Sequence, residues 1–399
     1  MRLVGICFAA ALFVLSASPV MSGQKEADTE LQTLNREMFK FYAAGDYERA
    51  ATLGRKALAV AEKSFGPGHP KVADSLSLLG SIRGEQGRYE EAEQLQKRAL
   101  KIVEKSLGPS APGVASHLRN LAHIYVEGLR GGQTEALYRR ALQIDEKNEG
   151  PDGPNVAMDL DGLGIALACK GLYAEAERVF QRGLAVEEKK GRIGNTNALM
   201  IMNNLANIYQ EQGFDSKAEA LFRRILAIKE KKLGLDHPDL IGVINSTGEI
   251  CLRTRNYGEA EKLFKRAVAI CEKDGYEVAL ADTLNHLGRT CREQRRYDEA
   301  ERHFKRALEI YEKTVGPEHT DVAFTLNCLA HLYSDQGRYT QAEALLKRAL
   351  VIGEKALGSN HPQLVRYLTN LAIIYRATNR AAEADKLDKR AAAIQASKR

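Results

Sequence analysis

The chain has 399 residues, 58 of them Lys or Arg and 52 Asp or Glu, for a formal charge of +6. That balance is mild for so long a chain, and no basic run is interleaved with stacking aromatics, so nucleic acid is not indicated as a partner. Trp is absent and 28% of residues are charged, which suits an exposed helical array better than a set of globular lobes.

Taken in order, the first segment stands apart. Arg2 is followed by the apolar stretch Leu3 to Leu15 and then by a small, polar, Pro-containing end, Ser16 to Ser22. This is the anatomy of a secretory signal peptide over residues 1–22. Cleavage after Ser22 would start the mature chain near Gly23, leave no membrane span, and place the product in a periplasm or outside the cell. The alternative is a membrane anchor formed by an uncleaved 3–21, barely long enough to cross a bilayer. Five cysteines lie beyond this segment, Cys169, Cys251, Cys271, Cys291 and Cys328. An odd number at scattered spacing reads as small core thiols and not as a disulfide framework.

Residues 23–399 read as one array of helical hairpins. Its cleanest copy runs from Asp321 to Gly358, where Val322, Leu326, Leu329, Ala330 and Tyr333 share one helical face and Ala342, Leu345, Leu346, Ala349 and Leu350 another. Gly337 stops the first helix, so the copy folds as two antiparallel helices. One apolar seam per hairpin must be buried against neighbours. The copies register on Ala50, Ala92, Ala136, Ala176, Ala218, Ala260, Ala300, Ala342 and Ala384, at successive spacings of 42, 44, 40, 42, 42, 40, 42 and 42 residues. A fixed period in this range predicts a helical solenoid of nine units, at about 31–65, 71–107, 113–148, 154–190, 196–233, 238–274, 277–315, 320–357 and 362–397.

Unit 1 is degenerate, with Glu37 and Met38 where later units have Leu-Ala, as a terminal cap should be. In unit 3 the turn EGLRGGQTEA reads as two residues longer than usual and lacks its Tyr. Gly164 matches Gly80, Gly248 and Gly288 and is explained by close helix packing, whereas Gly162 has no such counterpart and reads as drift, with local flexibility or the close approach of a ligand as the alternatives. The loop at 189–197 lacks a Pro-containing ending and is the expected bend. Elsewhere Gly66, Gly108, Gly234, Gly316 and Gly358 stop helices, and Pro70, Pro112, Pro238 and Pro362 start the next ones. The last unit has no solvating helix after it, which suggests self-association through an open apolar edge.

The string Leu-Ala or Leu-Gly, then Tyr, then Gly-x-Tyr, then Ala resembles the tetratricopeptide repeat. The longer spacing, NNLANIY at 203–209, and the closings EKSFGPGHP, EKKLGLDHP and EKALGSNHP are similar to the kinesin light chain variety. The resemblance covers roughly residues 31–397 and implies an all-α superhelical solenoid of about nine hairpins. It implies a protein-binding scaffold and not an enzyme. The heptad coiled coil that joins kinesin light chains to their motor is missing, so the resemblance does not extend to motor function.

No catalytic signature is found: there is no phosphate loop, nucleophile elbow, HExxH or CxxC, and no cofactor is implied. His69, His237, His319 and His361 recur once per unit, a whole repeat apart, which suits helix capping and excludes a shared metal. What remains is the concave face lined by first helices. Two residues before the Leu of Leu-Ala stand Asn203, Asn245, Asn285 and Asn327 in four consecutive units. An asparagine offers both a donor and an acceptor to the backbone of an extended peptide. The resemblance implies that groove asparagines do this, although asparagine could also be the inherited default of the repeat. Four residues further on come Asn207, Glu249, Arg289 and His331, and then Arg292. This predicts a locally positive floor for a protein or peptide partner with an acidic segment.

Overall fold

The computed structural model describes residues 22–128 and 132–396, and the expected signal peptide lies outside them except for its last residue. The described residues form eighteen α-helices, one 3₁₀ turn (Pro238–Leu240) and no strand. In chain order the helices pair as α1 (Ser22–Ala43) with α2 (Tyr47–Phe65), α3 (Pro70–Glu85) with α4 (Tyr89–Leu107), α5 (Pro112–Glu127) with α6 (Thr134–Glu149), and α7 (Val156–Cys169) with α8 (Tyr173–Lys189). There follow α9 (Thr196–Glu211), α10 (Asp215–Leu233), the pair α11 (Ile241–Arg253) and α12 (Tyr257–Asp274), and the pair α13 (Glu277–Glu293) and α14 (Tyr297–Thr314). The pairs α15 (Thr320–Asp335) with α16 (Tyr339–Leu357) and α17 (Leu364–Ala377) with α18 (Ala381–Ala396) complete the chain. Contacts divide it into two bodies, one through Gln212 and one from Gly213. Within each, every second helix packs on the first helix of the next hairpin, the arrangement of an α-α solenoid.

Local chemistry sets the boundaries. His69, His237, His319 and His361 each accept, through Nδ1, the backbone N–H two residues on, at 3.1–3.3 Å. His69 and His319 are the N-caps of α3 and α15 and His237 that of the 3₁₀ turn, whereas His361 stands two residues before Gln363, the N-cap of α17. Gly66, Gly108, Gly234, Gly316 and Gly358 take φ between +82° and +94° where the second helices end. At the turn inside the hairpin, Gly45, Gly87, Gly171, Gly213 and Gly337 are also left-handed, whereas Arg255, Arg295 and Asn379 hold φ near +60° without being glycine. Arg338 and Arg380, just after this turn, lie over the rings of Tyr333 and Tyr375 at 3.8 and 3.9 Å. Each also donates to a glutamate of the preceding hairpin, Glu301 or Glu343, at 2.9 and 2.8 Å. Lys97, Arg98, Lys347 and Arg348 face solvent and are ion-paired there to Glu93, Glu62, Glu343 and Glu312.

The core is set by paired sizes. A Cβ at Gly164, Gly248 or Gly288 would stand 2.5–2.7 Å from the ring of Phe180, Phe264 or Phe304, four residues after the registering alanine. These rings are fully buried, and each such burial contributes about 1.5–3 kcal/mol. In the first hairpin the sizes invert, with buried Met38 against Gly54. In α15 and α16 both are intermediate, Ala330 and Leu346, in one cluster.

Several expectations are corrected. The registering residue of unit 3 is Thr134, which is fully buried, whereas Ala136 is exposed. From Ala92 to Thr134 and from Thr134 to Ala176 are 42 residues each, so the turn has the ordinary length. Gly162 is not drift: a Cβ there would meet Tyr138 Cε1 at 2.1 Å, because the tyrosine of the preceding hairpin fills that space. The loop at 189–197, expected as a bend, is held by side chains. Buried Glu187 accepts from Arg192 at 2.9 Å and Asn195 at 2.8 Å, and Asn195 caps α9. The first helix begins at Ser22, well before residue 31, and buries Ala27 and Leu31. Four of the five thiols are buried and all five are free, with Cys169 exposed. At the far end, α18 buries Ala384, Ala391 and Ile394 and turns Ala381, Ala382, Lys386 and Lys389 outward, so the edge expected to drive self-association shows no exposed large apolar side chain.

Candidate functional site

The asparagine row lies at a seam between first helices. Asn245 of α11 donates to Thr283 of α13 at 2.9 Å, and Asn285 of α13 donates to Thr325 of α15 at 2.9 Å. Asn327 of α15 accepts from Asn370 of α17 at 2.7 Å. Asn285 and Asn327 are buried, and only Asn203 and Asn245 are half-exposed. The same phase in the N-terminal body does the same work: Ser77 accepts from Asn120 at 2.8 Å and Asp161 from Asn204 at 2.9 Å. The amides therefore join consecutive hairpins, and two of the four are not available to a peptide in this arrangement.

The open face lies a turn further along. α15 is covered on nearly every side and leaves Phe324, His331 and Asp335 accessible, spaced i, i+7 and i+11 on one stripe. Asn207 on α9, Glu249 on α11 and Arg289 on α13 occupy the phase of His331, and all are half-exposed. In the C-terminal body this stripe carries an ion-paired cluster. Arg289 grips Glu249 with both nitrogens, at 2.8 and 3.0 Å, and His286 Nδ1 meets the same carboxylate at 2.9 Å while stacking on Phe264. Burial alone would raise the Glu249 carboxyl, but the His286 hydrogen bond and the Arg289 charge outweigh it and hold it at about 2. Arg292 is paired with Glu293 at 2.6 Å and lies 3.4 Å from Asp335. Both arginines of the expected positive floor are thus neutralised by neighbours. Asn370 meets the His331 ring at 2.7 Å, and burial lowers the histidine below its ordinary value. Arg366 lies over Phe324 at 5.7 Å, and Ile373 is half exposed.

Models of the tetratricopeptide repeat match residues 39–105, 75–130, 113–189, 197–273 and 321–397, with a further repeat model at 280–321. The chain belongs to the tetratricopeptide repeat family. Among solved structures it is similar to BtubC (BKLC) from P. vanneervenii, at 25% identity over 56% of this chain and 88% of that one, with a TM-score of 0.44. A Podosopora anserina protein assigned to the kinesin light chains, with nearly identical TPR-like repeats, is 26% identical over 51% of this chain and 97% of its own, at 0.42. The apo form of the quorum sensor NprR from B. thuringiensis shares the fold over 93% of this chain and 99% of its own, with 12% identity and a TM-score of 0.60. No curated protein matches the sequence. No helix among the described residues is long and apolar enough to cross a membrane.

The N-terminal body of this tetratricopeptide repeat protein also holds a charged cluster that sequence reasoning missed. Arg119 of α5 donates through one nitrogen to Asp145 of α6 at 2.5 Å and to Asp159 of α7 at 2.9 Å, and through the other to Ser116 at 3.1 Å. Both carboxylates are fully buried. The signal was present: Asp159 interrupts the apolar run VAMDLDGLGIALAC at the phase that the neighbouring repeats bury with His117 and Ile201. Among the described residues no His, Cys, Asp and Glu group is arranged to hold a metal.

Proposed function

We propose that this tetratricopeptide repeat protein is a non-enzymatic scaffold that holds an extended segment of a protein partner along the face of its first helices. The observation that carries the reading is the stripe at constant helical phase, Glu249, Arg289 and His331 in the C-terminal body, which neighbouring helices leave accessible. Preformed helices spare the scaffold ordering costs, and many shallow contacts add along such a stripe. Because Arg289 and Arg292 already have carboxylate partners, a net acidic segment gains little from them. Phe324, Ile373 and the imidazole of His331 favour instead a segment that brings apolar side chains and backbone hydrogen-bonding groups.

The test is a triple variant, His331→Ala, Arg366→Ala and Ile373→Ala, set beside a control altered on the opposite surface at Lys347 and Val351. Capture from the native host followed by mass spectrometry should recover a partner with wild type and control and lose it with the triple variant. Equal recovery by all three would remove the assignment. Export is proposed on residues 1–22 alone. A mature protein whose N-terminal sequence starts near Gly23 supports it, and an intact Met1 in a membrane fraction would point to anchoring by 3–21.

A further inference from the structure

The unused feature of greatest chemical consequence is the buried Arg119, Asp145 and Asp159 cluster. One guanidinium faces two carboxylates that no solvent reaches, and Asp145 Oδ1 and Asp159 Oδ2 have no donor from the described protein atoms. With both acids ionised the site would carry an uncompensated negative charge, which a buried site does not tolerate. A proton on one acid removes that charge and supplies the missing donor, since one nitrogen of Arg119 holds Asp145 Oδ2 at 2.5 Å and Asp159 Oδ1 at 2.9 Å and so brings the two carboxyls side by side.

We propose that Asp159 carries a proton donated to Asp145, that this proton fastens the α5–α6 hairpin to α7, and that its loss loosens the seam as pH rises. The three groups come from three helices of two consecutive hairpins, so the bond crosses the joint between them. The other groups facing the cluster do not replace the proton. Tyr138 of α6 is a neutral phenol, raised by burial, and Asp161 of α7 is a second buried acid that accepts from the neutral Asn204 amide of α9 at 2.9 Å. α8 brings the Phe180 ring against Gly164. Burial raises Asp159 to about 8 despite Arg119, with Asp145 adding to the rise, and burial raises Asp161 to about 7 against the Asn204 bond. Both are therefore raised above their ordinary 3.8, so the cohesion they give is complete below that value and is lost as pH climbs through about 7 and 8.

The experiment is hydrogen exchange of the full chain at a series of pH values from 6 to 9, corrected for intrinsic rates and read on peptides of α5 to α7 and, as a control, of α15 and α16. An opening that releases a proton becomes about tenfold easier per pH unit for each proton released. Protection of α7 should fall at least tenfold between pH 6 and pH 7, while the control region stays flat. Asp159→Asn, which keeps the shape and a permanent donor, should remove about one tenfold step per unit. An unchanged α7 profile in wild type, or the same slope in the variant, overturns the proposal. Should the variant not fold, infrared difference spectra of the wild type decide. A protonated-carboxyl band present at pH 6 and gone at pH 9 supports the proposal, and its absence at pH 6 sinks it.

Discussion

If paired sizes hold each hairpin together, changing one member should be harmful and changing both should be tolerated. Gly288 and Phe304 make the cleanest case. A Cβ on Gly288 would lie 2.7 Å from Phe304 Cε1 and 2.9 Å from Cδ1 and Cζ, close to 1 Å inside ordinary carbon contact. The ring is fully buried, with Cys291, Ala300 and Leu329 in the same cluster, so it has no room to withdraw. Overpacking of this kind costs about 1–3 kcal/mol, and the gain in helix propensity on replacing Gly by Ala returns about 0.8–1 kcal/mol. Gly288→Ala should therefore cost about 1 kcal/mol net. Phe304→Leu alone leaves a gap and should cost roughly 1–2 kcal/mol, a fraction of the penalty for truncation to Ala. The double variant reproduces the Ala330 and Leu346 pair of α15 and α16, so the two changes should couple favourably by about 1 kcal/mol or more. Urea unfolding followed by circular dichroism measures this, with hydrogen exchange of α13 and α14 alongside, since a repeat array need not melt in one step. Strict additivity, or a Gly288→Ala variant stabilised by its full helix propensity, would refute the size-pairing argument.

Three other outcomes are expected. Arg295→Gly should stabilise the second body by about 0.5–1 kcal/mol, because a left-handed turn costs a non-glycine residue roughly that much net of chain entropy; a loss in the same urea assay would show that the Arg295 side chain has a role of its own. Glu249→Gln should cost about 1–3 kcal/mol, because the neutral amide keeps one acceptor oxygen but removes the charge and the second oxygen that Arg289 and His286 share. Because Glu249 is depressed from 4.5 to about 2, its contribution is present above 4.5 and fades as pH falls towards 2, so wild type and variant should converge in acid unfolding curves. His69 caps α3 through a neutral Nδ1, and burial lowers it from 6.5. Its cap is therefore complete above 6.5 and is lost as pH drops through the lower folded value, and an NMR titration midpoint at or above 6.5 would contradict this.

The period, the helix stops and the capping histidines were legible because each is a local consequence of sequence: a positive φ at glycine, a fixed φ at proline, an acceptor placed two residues ahead of a free N–H. Register failed at one hairpin because Thr134 fills the small-residue place and Ala136, two residues on, imitates it. Gly162 was unreadable alone, since its reason is Tyr138 in the preceding hairpin, 24 residues earlier. The asparagines looked like a polar lining, but a polar residue at constant phase can equally bond a polar side chain of the next first helix, as Asn285 does with Thr325. Likewise the arginines seemed free only while Glu249, Glu293 and Asp335 were unplaced. Contacts between helices about 40 residues apart decide those cases, and a single sequence does not display them.

The inverted sizes of Met38 with Gly54 and of Gly288 with Phe304 bear on how such a gene can grow. Copying a segment that begins and ends in the connections between hairpins carries both halves of a match together and inserts a module that already fits itself. Exchange between copies inside a hairpin would instead bring methionine face to face with phenylalanine, or leave two glycines opposite each other around a void. Viable lengthening and shuffling should therefore break at the His-Pro and glycine connections, and the number of modules should vary more freely than their internal pairing.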